Sequence, residues 1–342
     1  MSNNKIEISW ASIFRVLAVV LGVLFIFKIA QVIALFFVVV VLVAAFSPIV
    51  DNWSRYIPRI LAVILLYLLG LAILAATGFL IIPPLIDQLQ ALATNLPTYF
   101  EKILPLLQNW KNLINSSQQS LTSISQTISQ VSAGIYSTTI GFIGGLIAFV
   151  TIFVLTFYML LEKNAVRDLI VSFLPIEKRE QIIIALRKII AKMGGWLRGQ
   201  LMLCLIVGIL DLTGLLIFRV PYALTLAIFA GLTEIIPYIG PWLGFVPALL
   251  IALTISPLLG LIVAIWYVAV QQIEGHILVP KIMQKTVGLN PVIVILAFLI
   301  GGSLFGILGL ILAVPAAAAI LVVIQEWSNL SKNAPPSSEV NS

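Results

Sequence analysis

Residues 222–255 read YALTLAIFAGLTEIIPYIGPWLGFVPALLIALTI, and the way this stretch can cross an apolar medium decides what fold the chain can adopt. It is apolar at both ends, but Pro237, Gly240 and Pro241 interrupt its middle. Proline removes a helical donor and clashes with the preceding turn, so the run divides into two arms of about 14 residues, roughly 21 Å each. A hydrocarbon core about 30 Å thick is more than either arm spans. The stretch therefore predicts a hairpin or a broken helix. Residues 291–324 repeat the theme, with Gly301, Gly302, Gly306 and Gly309 loosening the middle and Pro315 bending the second arm.

Outside these two regions, apolar runs of crossing length lie at 11–29, 30–48, 59–82, 138–161, 199–218 and 257–275. The fold class is thus all-α and polytopic, with about eight membrane segments of which two are broken or re-entrant. Composition agrees. Of the 342 residues 61% are hydrophobic and only 9% charged, and mean hydropathy is +1.16, where a soluble domain carries about 25% charged residues. The run 16–27 continues almost directly into 32–46 with no A-x-A-like cleavage site before it, so both are read as retained spans rather than a signal peptide.

Six segments follow: a three-span scaffold (1–82), an extracytoplasmic amphipathic helical segment (83–137), a fourth span (138–161), a basic amphipathic cytoplasmic linker (162–198), a transport region with two broken hairpins (199–324) and a disordered tail (325–342). The outer segment has apolar residues three or four apart, as in Leu85, Leu89, Leu92 and Leu96. In the linker, Ile182, Leu186, Ile189, Ile190 and Met193 fall on one side, with Lys or Arg opposite, which predicts a helix along the membrane surface.

Cytoplasmic loops retain Lys and Arg. The linker holds Lys163, Arg167, Lys178, Arg179, Arg187, Lys188, Lys192 and Arg198, while the longer segment 83–137 holds only Lys102 and Lys111. The first is placed inside and the second outside. Counting crossings then puts both termini in the cytoplasm. Hairpins and double crossings give the same sides, so charge leaves that choice open.

Ionisable side chains inside apolar runs are costly, about 2.5–3.5 kcal/mol at a helix centre on insertion scales, and so point to function. Asp211 lies in VGILDLTGLLI, Glu234 in GLTEIIPYIGP, and Glu274 in QQIEGHILVP together with Gln271, Gln272 and His276. Carboxylates facing a bundle interior can take up a proton or a sodium ion, which couples occupancy to charge. Each also has a structural alternative. Asp211 could make a packing hydrogen bond, Glu234 could accept from backbone N–H groups freed at the break, and Glu274 and His276 could sit at a solvated end. Breaks at Pro237, Gly240 and Pro241 and at Gly301, Gly302, Gly306 and Gly309 could offer two facing polar tips, although Gly302 and Gly306 also form a G-x-x-x-G packing pair.

Other chemistries find no foothold. With one cysteine, Cys204, and one histidine, His276, the chain can build neither a disulfide framework nor a Cys- or His-based metal site. A G-x-x-x-x-G-K-[ST] loop, a Rossmann fingerprint and a G-x-S-x-G elbow are all missing, so no nucleotide, cofactor or enzymatic role is expected. The +6 net charge lies between apolar segments without interleaved aromatics, which suits a membrane surface and not nucleic acid.

The ordered motifs RGQ (198–200), EIIPYIGP (234–241), QQIEGHILVP (271–280), GLNP (288–291) and GGSLFGILGLILAVP (301–315) resemble the autoinducer-2 exporter family of permeases. SPIVDNW (47–53) and IPR (57–59) extend the resemblance over most of the chain. It implies a bacterial inner-membrane transporter of about eight spans, in a family with members linked to export of a signalling molecule and others to sodium/proton exchange. Glu234, Pro237, Gly240, Pro241, Glu274 and Pro280 carry over as site or hinge residues, and Gln200 by its motif. Members often have His before the Pro of GLNP, where this chain has Asn290. Asn290 cannot titrate, which removes proton transfer at that position.

The expected function is a secondary transporter or exporter moving a small polar solute or exchanging cations. Asp211, Glu234, Glu274, Gln271, Gln200 and Asn290 are its candidate binding residues, with H+ or Na+ as coupling ion, the bilayer as surroundings and a homo-oligomer as its state. A passive channel and a non-transporting assembly factor are the rival readings.

Overall fold

The computed structural model describes residues 10–103, 139–162, 179–283 and 288–332. Among the described residues the secondary structure is helical: α1 (Trp10–Trp53), α2 (Arg59–Ile103), α3 (Thr139–Leu161), α4 (Arg179–Ile217), α5 (Ala223–Thr233), α6 (Gly240–Ile255), α7 (Pro257–Ile273), a π-helical turn (Glu274–Leu278), α8 (Val279–Met283) and α9 (Pro291–Lys332). Five helical stretches are long and apolar enough to cross a membrane: Ile29–Trp53, Arg59–Leu80, Ile182–Ile217, Pro257–Met283 and Pro291–Glu326. Shorter apolar helices fill the gaps between them, and the protein is a polytopic helical membrane protein.

Two expectations are corrected. The runs 11–29 and 30–48, read as separate spans, lie on one unbroken helix, α1, of 44 residues. At 1.5 Å per residue it is about 66 Å long, and without a turn it carries both runs in the same direction. The inner linker does not lie apart as a surface helix either. From Arg179 onward it is the first part of α4, so the boundary between 198 and 199 falls inside a 39-residue helix. Residues 83–103 continue α2, as the helical reading of the outer segment expects, while 104–137 lie outside the described residues. So do 333–342, whereas residues 325–332, the start of the segment read as a disordered tail, continue α9 as helix.

Helix α4 is the post against which the other elements pack. Pro48 has no N–H to give to the Ala44 carbonyl one turn earlier. Arg198 fills the vacancy, its Nη1 donating to Ala44 O at 3.1 Å and to Ala45 O at 3.0 Å. A side chain at Gly194 would run into the Ala44 carbonyl, so glycine lets α1 and α4 approach to backbone contact. At the far end of α1, Arg59 pairs with Asp51 at 2.5 Å and its Nε donates to Leu160 O at 2.8 Å, tying α1, α2 and α3 together over Val50, Ala62 and Val63. The motif at 47–59 is therefore a three-helix junction.

Both broken regions fold back on themselves. In the first, α5 and α6 pack side by side, Gly244 against Ala230 and Gly240 against the Thr233 carbonyl. In the second, a side chain on either Gly301 or Gly309 would strike the backbone of the other. Residues eight apart on a straight helix stand about 12 Å apart, so α9 must reverse between them. It does so at Gly306, whose φ of 58° and ψ of −134° are open to glycine. Pro291–Glu326 has the length of a crossing but runs as two arms, 291–305 and 307–332.

The two hairpins enter from opposite ends of α4. Hairpin α5–α6 begins beside Leu215 and Val220, passes Gly208 at Gly231, and brings Glu234 level with Gln200. The second arm of α9 pairs Glu326 with Lys188 at 2.7 Å and packs Val314 and Ala318 on Trp196 and Leu197, which points its turn the other way. They meet where the Tyr238 ring stands edge-on to Phe298, centroids 6.0 Å apart.

Candidate functional site

The break between α5 and α6 is held by side chains. Thr233 Oγ1 donates to Ala230 O at 2.9 Å and to Gly240 O at 3.0 Å, closing the turn. Tyr238 sits at φ 64°, a left-handed conformation that the tight reversal requires of a non-glycine residue. From α4, Gln200 Nε2 donates to the Glu234 carbonyl oxygen at 2.5 Å, so the post grips the hairpin at the level of its break. Glutamine, unlike a charged residue, supplies this donor without adding a second buried ion.

Helix α7 ends beside the same point. Pro280 cannot donate to His276 one turn back, and the chain widens here into a π turn in which Val279 N–H reaches Glu274 O. The widening delivers Glu274 to the break. Gln271 Nε2 donates to Glu274 Oε2 at 2.6 Å, and the Glu274 carboxyl lies against that of Glu234. Glu234 is 1% exposed, and the side-chain group that its carboxyl meets is the carboxyl of Glu274, not a basic residue.

A cavity of about 950 Å³ opens between α4, this hairpin, α7 and the start of α9. Gln200, Pro237, Pro241, Gln271, Glu274 and Pro280 all line it. No lysine, arginine or histidine lines it among the described residues. Two adjoining carboxyl groups in apolar surroundings without a basic partner cannot both stay ionised cheaply. The arrangement can hold a proton or a monovalent cation. Among the described residues, no three His, Cys, Asp or Glu side chains converge closely enough to hold a metal ion.

Comparison with known proteins places this geometry. A family model described as AI-2E family transporter matches residues 13–329. The chain belongs to the AI-2E transporter family. Among similar proteins, one from Bacillus subtilis named "Putative transport protein YueF" is 32% identical over 314 residues, covering 85% of each chain. A second from that organism, "Putative transport protein YrrI", is 34% identical over 285 residues, covering 80% of this chain and 81% of its own. "Putative transport protein sll0060" of Synechocystis is 28% identical over 289 residues, covering 81% and 83%. The family is one of multi-pass membrane transport proteins.

In this AI-2E chain the expected site residues separate into two groups. Gln200, Glu234, Gln271 and Glu274 come together with Pro237, Gly240, Pro241 and Pro280. The others do not line the cavity. Asp211 is 1% exposed with an unpartnered Oδ1; it lies beside Tyr267, outside the cavity lining, yet within electrostatic reach of Glu274 and Glu234. Asn290 is exposed, and its Oδ1 accepts from Val292 N at 2.9 Å, capping α9. Gly301, Gly302, Gly306 and Gly309 form the α9 turn rather than a second polar tip facing the first, and Pro315 follows the lining residue Val314. Of the G-x-x-x-G pair, Gly302 packs against the Leu310 side chain and Gly306 meets nothing; the backbone approach is between Gly301 and Gly309. His276 is exposed, with Nδ1 3.1 Å from Gln272 O.

The aromatic lining was not anticipated. Trp196, Tyr238, Trp242, Phe245 and Tyr267 surround the polar groups. Periodicity could have found two of them: Trp196, Gln200 and Leu203 share a face of α4, and Tyr267, Gln271 and Glu274 share a face of α7, in both cases at spacings of four and three.

Proposed function

We propose that this chain is a secondary transporter in the inner membrane of a bacterium, with the cavity beside the α5–α6 break as its substrate site and the Glu234–Glu274 pair as the seat of the coupling ion, H+ or Na+. The observation that carries this is Glu234: fully buried, without a basic partner among the described residues, and pressed against a second carboxyl at a helix break. An intramembrane acid so placed is expensive and becomes tolerable when a proton or cation occupies it. Two hairpins inserted from opposite ends of one post suit alternating access, since each can gate from its own face.

Orientation follows from the basic residues of 163–198, placed in the cytoplasm by the positive-inside bias. The Lys188–Glu326 pair supports the C-terminal end of α9 on that same side. The junction at 47–59 joins it through Leu160, and an unbroken α1 favours a single crossing with residue 10 on the outer face, where counting two spans gives the inner one.

The test uses purified protein in liposomes with a trapped pH-sensitive dye and an imposed sodium gradient. Wild type is expected to move protons against sodium, and Glu234→Gln and Glu274→Gln to fall to the level of empty liposomes. Exchange at the wild-type rate in both amide variants overturns the reading.

A further inference from the structure

The chemistry of the cavity says more about its substrate than the acids alone do. A bare cation needs only a few oxygens, whereas 950 Å³ is the size of a site for a drug-sized organic molecule. The walls are aromatic. Trp242 and Phe245 stand edge to face at 6.1 Å, and Phe245 and Tyr267 follow at 5.5 Å, so three rings form a continuous row from the rim inward. Trp242 at the rim is 68% exposed and Tyr267 at the inner end 8%. Tyr267 is seven residues before Glu274 on the same helical face, about 10 Å along the axis, so an elongated ligand lying on the rings can reach the Glu274 carboxyl within one cavity.

Charge discriminates between ligand classes. The lining carries one carboxyl group, Glu274, backed by buried Glu234, and no basic side chain among the described residues. Among the described residues no basic side chain answers the repulsion that an anion would meet. A sugar-like polyol would find two amides and few other polar groups to satisfy its hydroxyls, leaving buried donors unpaired. A cation whose charge is spread over an apolar body fits on both counts. It loses little on leaving water, its hydrocarbon covers the rings, and aromatic faces attract its charge.

We propose that the cavity binds a lipophilic organic cation, its apolar body along the Trp242–Phe245–Tyr267 row and its charge toward Glu274. This rests on the cavity being the substrate site of the proposed transporter, and it names the class of substrate.

The probes are tetraphenylphosphonium and tetraphenylborate, which share a shape and differ in sign. Binding is measured by equilibrium dialysis on the full-length protein in nanodiscs, with empty nanodiscs subtracted. Tetraphenylphosphonium is expected to bind saturably and tetraphenylborate not to displace it. Glu274→Gln and Trp242→Ala should each weaken binding about tenfold, the scale of one lost charge partner or one cation–π contact in a desolvated site. Trp242 is exposed and Glu274→Gln nearly isosteric, so both variants should keep the fold, as checked by their melting temperatures. Absence of saturable binding, equal binding of the borate, or unchanged affinity in both folded variants overturns the proposal. If the phosphonium binds as expected while the amide variants still exchange sodium for protons, the coupling-ion reading fails and the substrate class stands.

Discussion

The two hairpins are built by different means, and only one of them has a buried acid at its turn. The α5–α6 reversal spends six residues, 234–239, and places a buried carboxyl, a threonine clasp and two prolines at the turn. The α9 reversal is a glycine device. Gly301 and Gly309 bring the two arms to backbone contact, Gly306 takes the positive φ, and the neighbouring Leu304 and Ile307 are exposed. A break in a membrane helix frees backbone groups but does not by itself make a site. What distinguishes the first hairpin is that a second element, α7, brings Glu274 to its turn and a third, α4, grips it through Gln200.

The largest effects are expected where each hairpin closes, because there the comparison breaks down and both depend on an absent Cβ. Gly309→Val puts a branched side chain into the Gly301 backbone, and Gly240→Val puts one into the Thr233 carbonyl. Neither obstacle is a flexible side chain. Both variants should fail to give monodisperse protein on size-exclusion chromatography in detergent, and a wild-type elution profile for either would show that its hairpin is looser than described here.

Next comes the post that both hairpins share. Arg198→Met removes two hydrogen bonds from a charged donor and strands the Ala44 carbonyl that Pro48 left open, a loss of about 2–3 kcal/mol. Melting temperature in detergent should drop clearly, while Lys188→Met, which breaks an exposed pair on the same helix, should cost well under 1 kcal/mol. Equal shifts in the two variants would mean that Arg198 is not the clasp.

Much of this was legible in the sequence, and for physical reasons. Proline and glycine in the middle of apolar runs mark a helix that cannot continue, which located both reversals, and the cost of a buried acid located Glu234 and Glu274. Asp211 drew attention for the same reason, yet the energy of burial does not say which cavity a residue faces. Splitting 11–48 into two spans followed from length alone. Between 16 and 46 only Lys28 and Gln31 are polar, neither of them a helix breaker, and the chain stays helical through both. The aromatic row went unseen because a tryptophan or tyrosine in an apolar sequence reads equally well as a lipid-facing anchor. Asn290 stands directly before Pro291, where a side-chain oxygen capping a helix start is an ordinary reading; the family motif drew attention to transport instead.

The smallest substitution is the sharpest test of the comparison. Gly306→Ala adds one methyl group where nothing lies within 4 Å, so no clash follows and the whole cost is backbone strain at φ 58°. Alanine is strongly disfavoured at φ 58°, ψ −134°, a combination that glycine all but monopolises, at a cost of about 1–3 kcal/mol. If the α9 turn is only a reversal, this variant should melt lower and still exchange sodium for protons at the wild-type rate. Glu234→Gln should do the opposite, keeping its melting temperature and losing exchange, because it changes charge and leaves shape alone. A Gly306→Ala protein that is fully folded but inactive would show that the second turn moves during transport, since strain at one hinge would then have blocked a step that the ground state does not display.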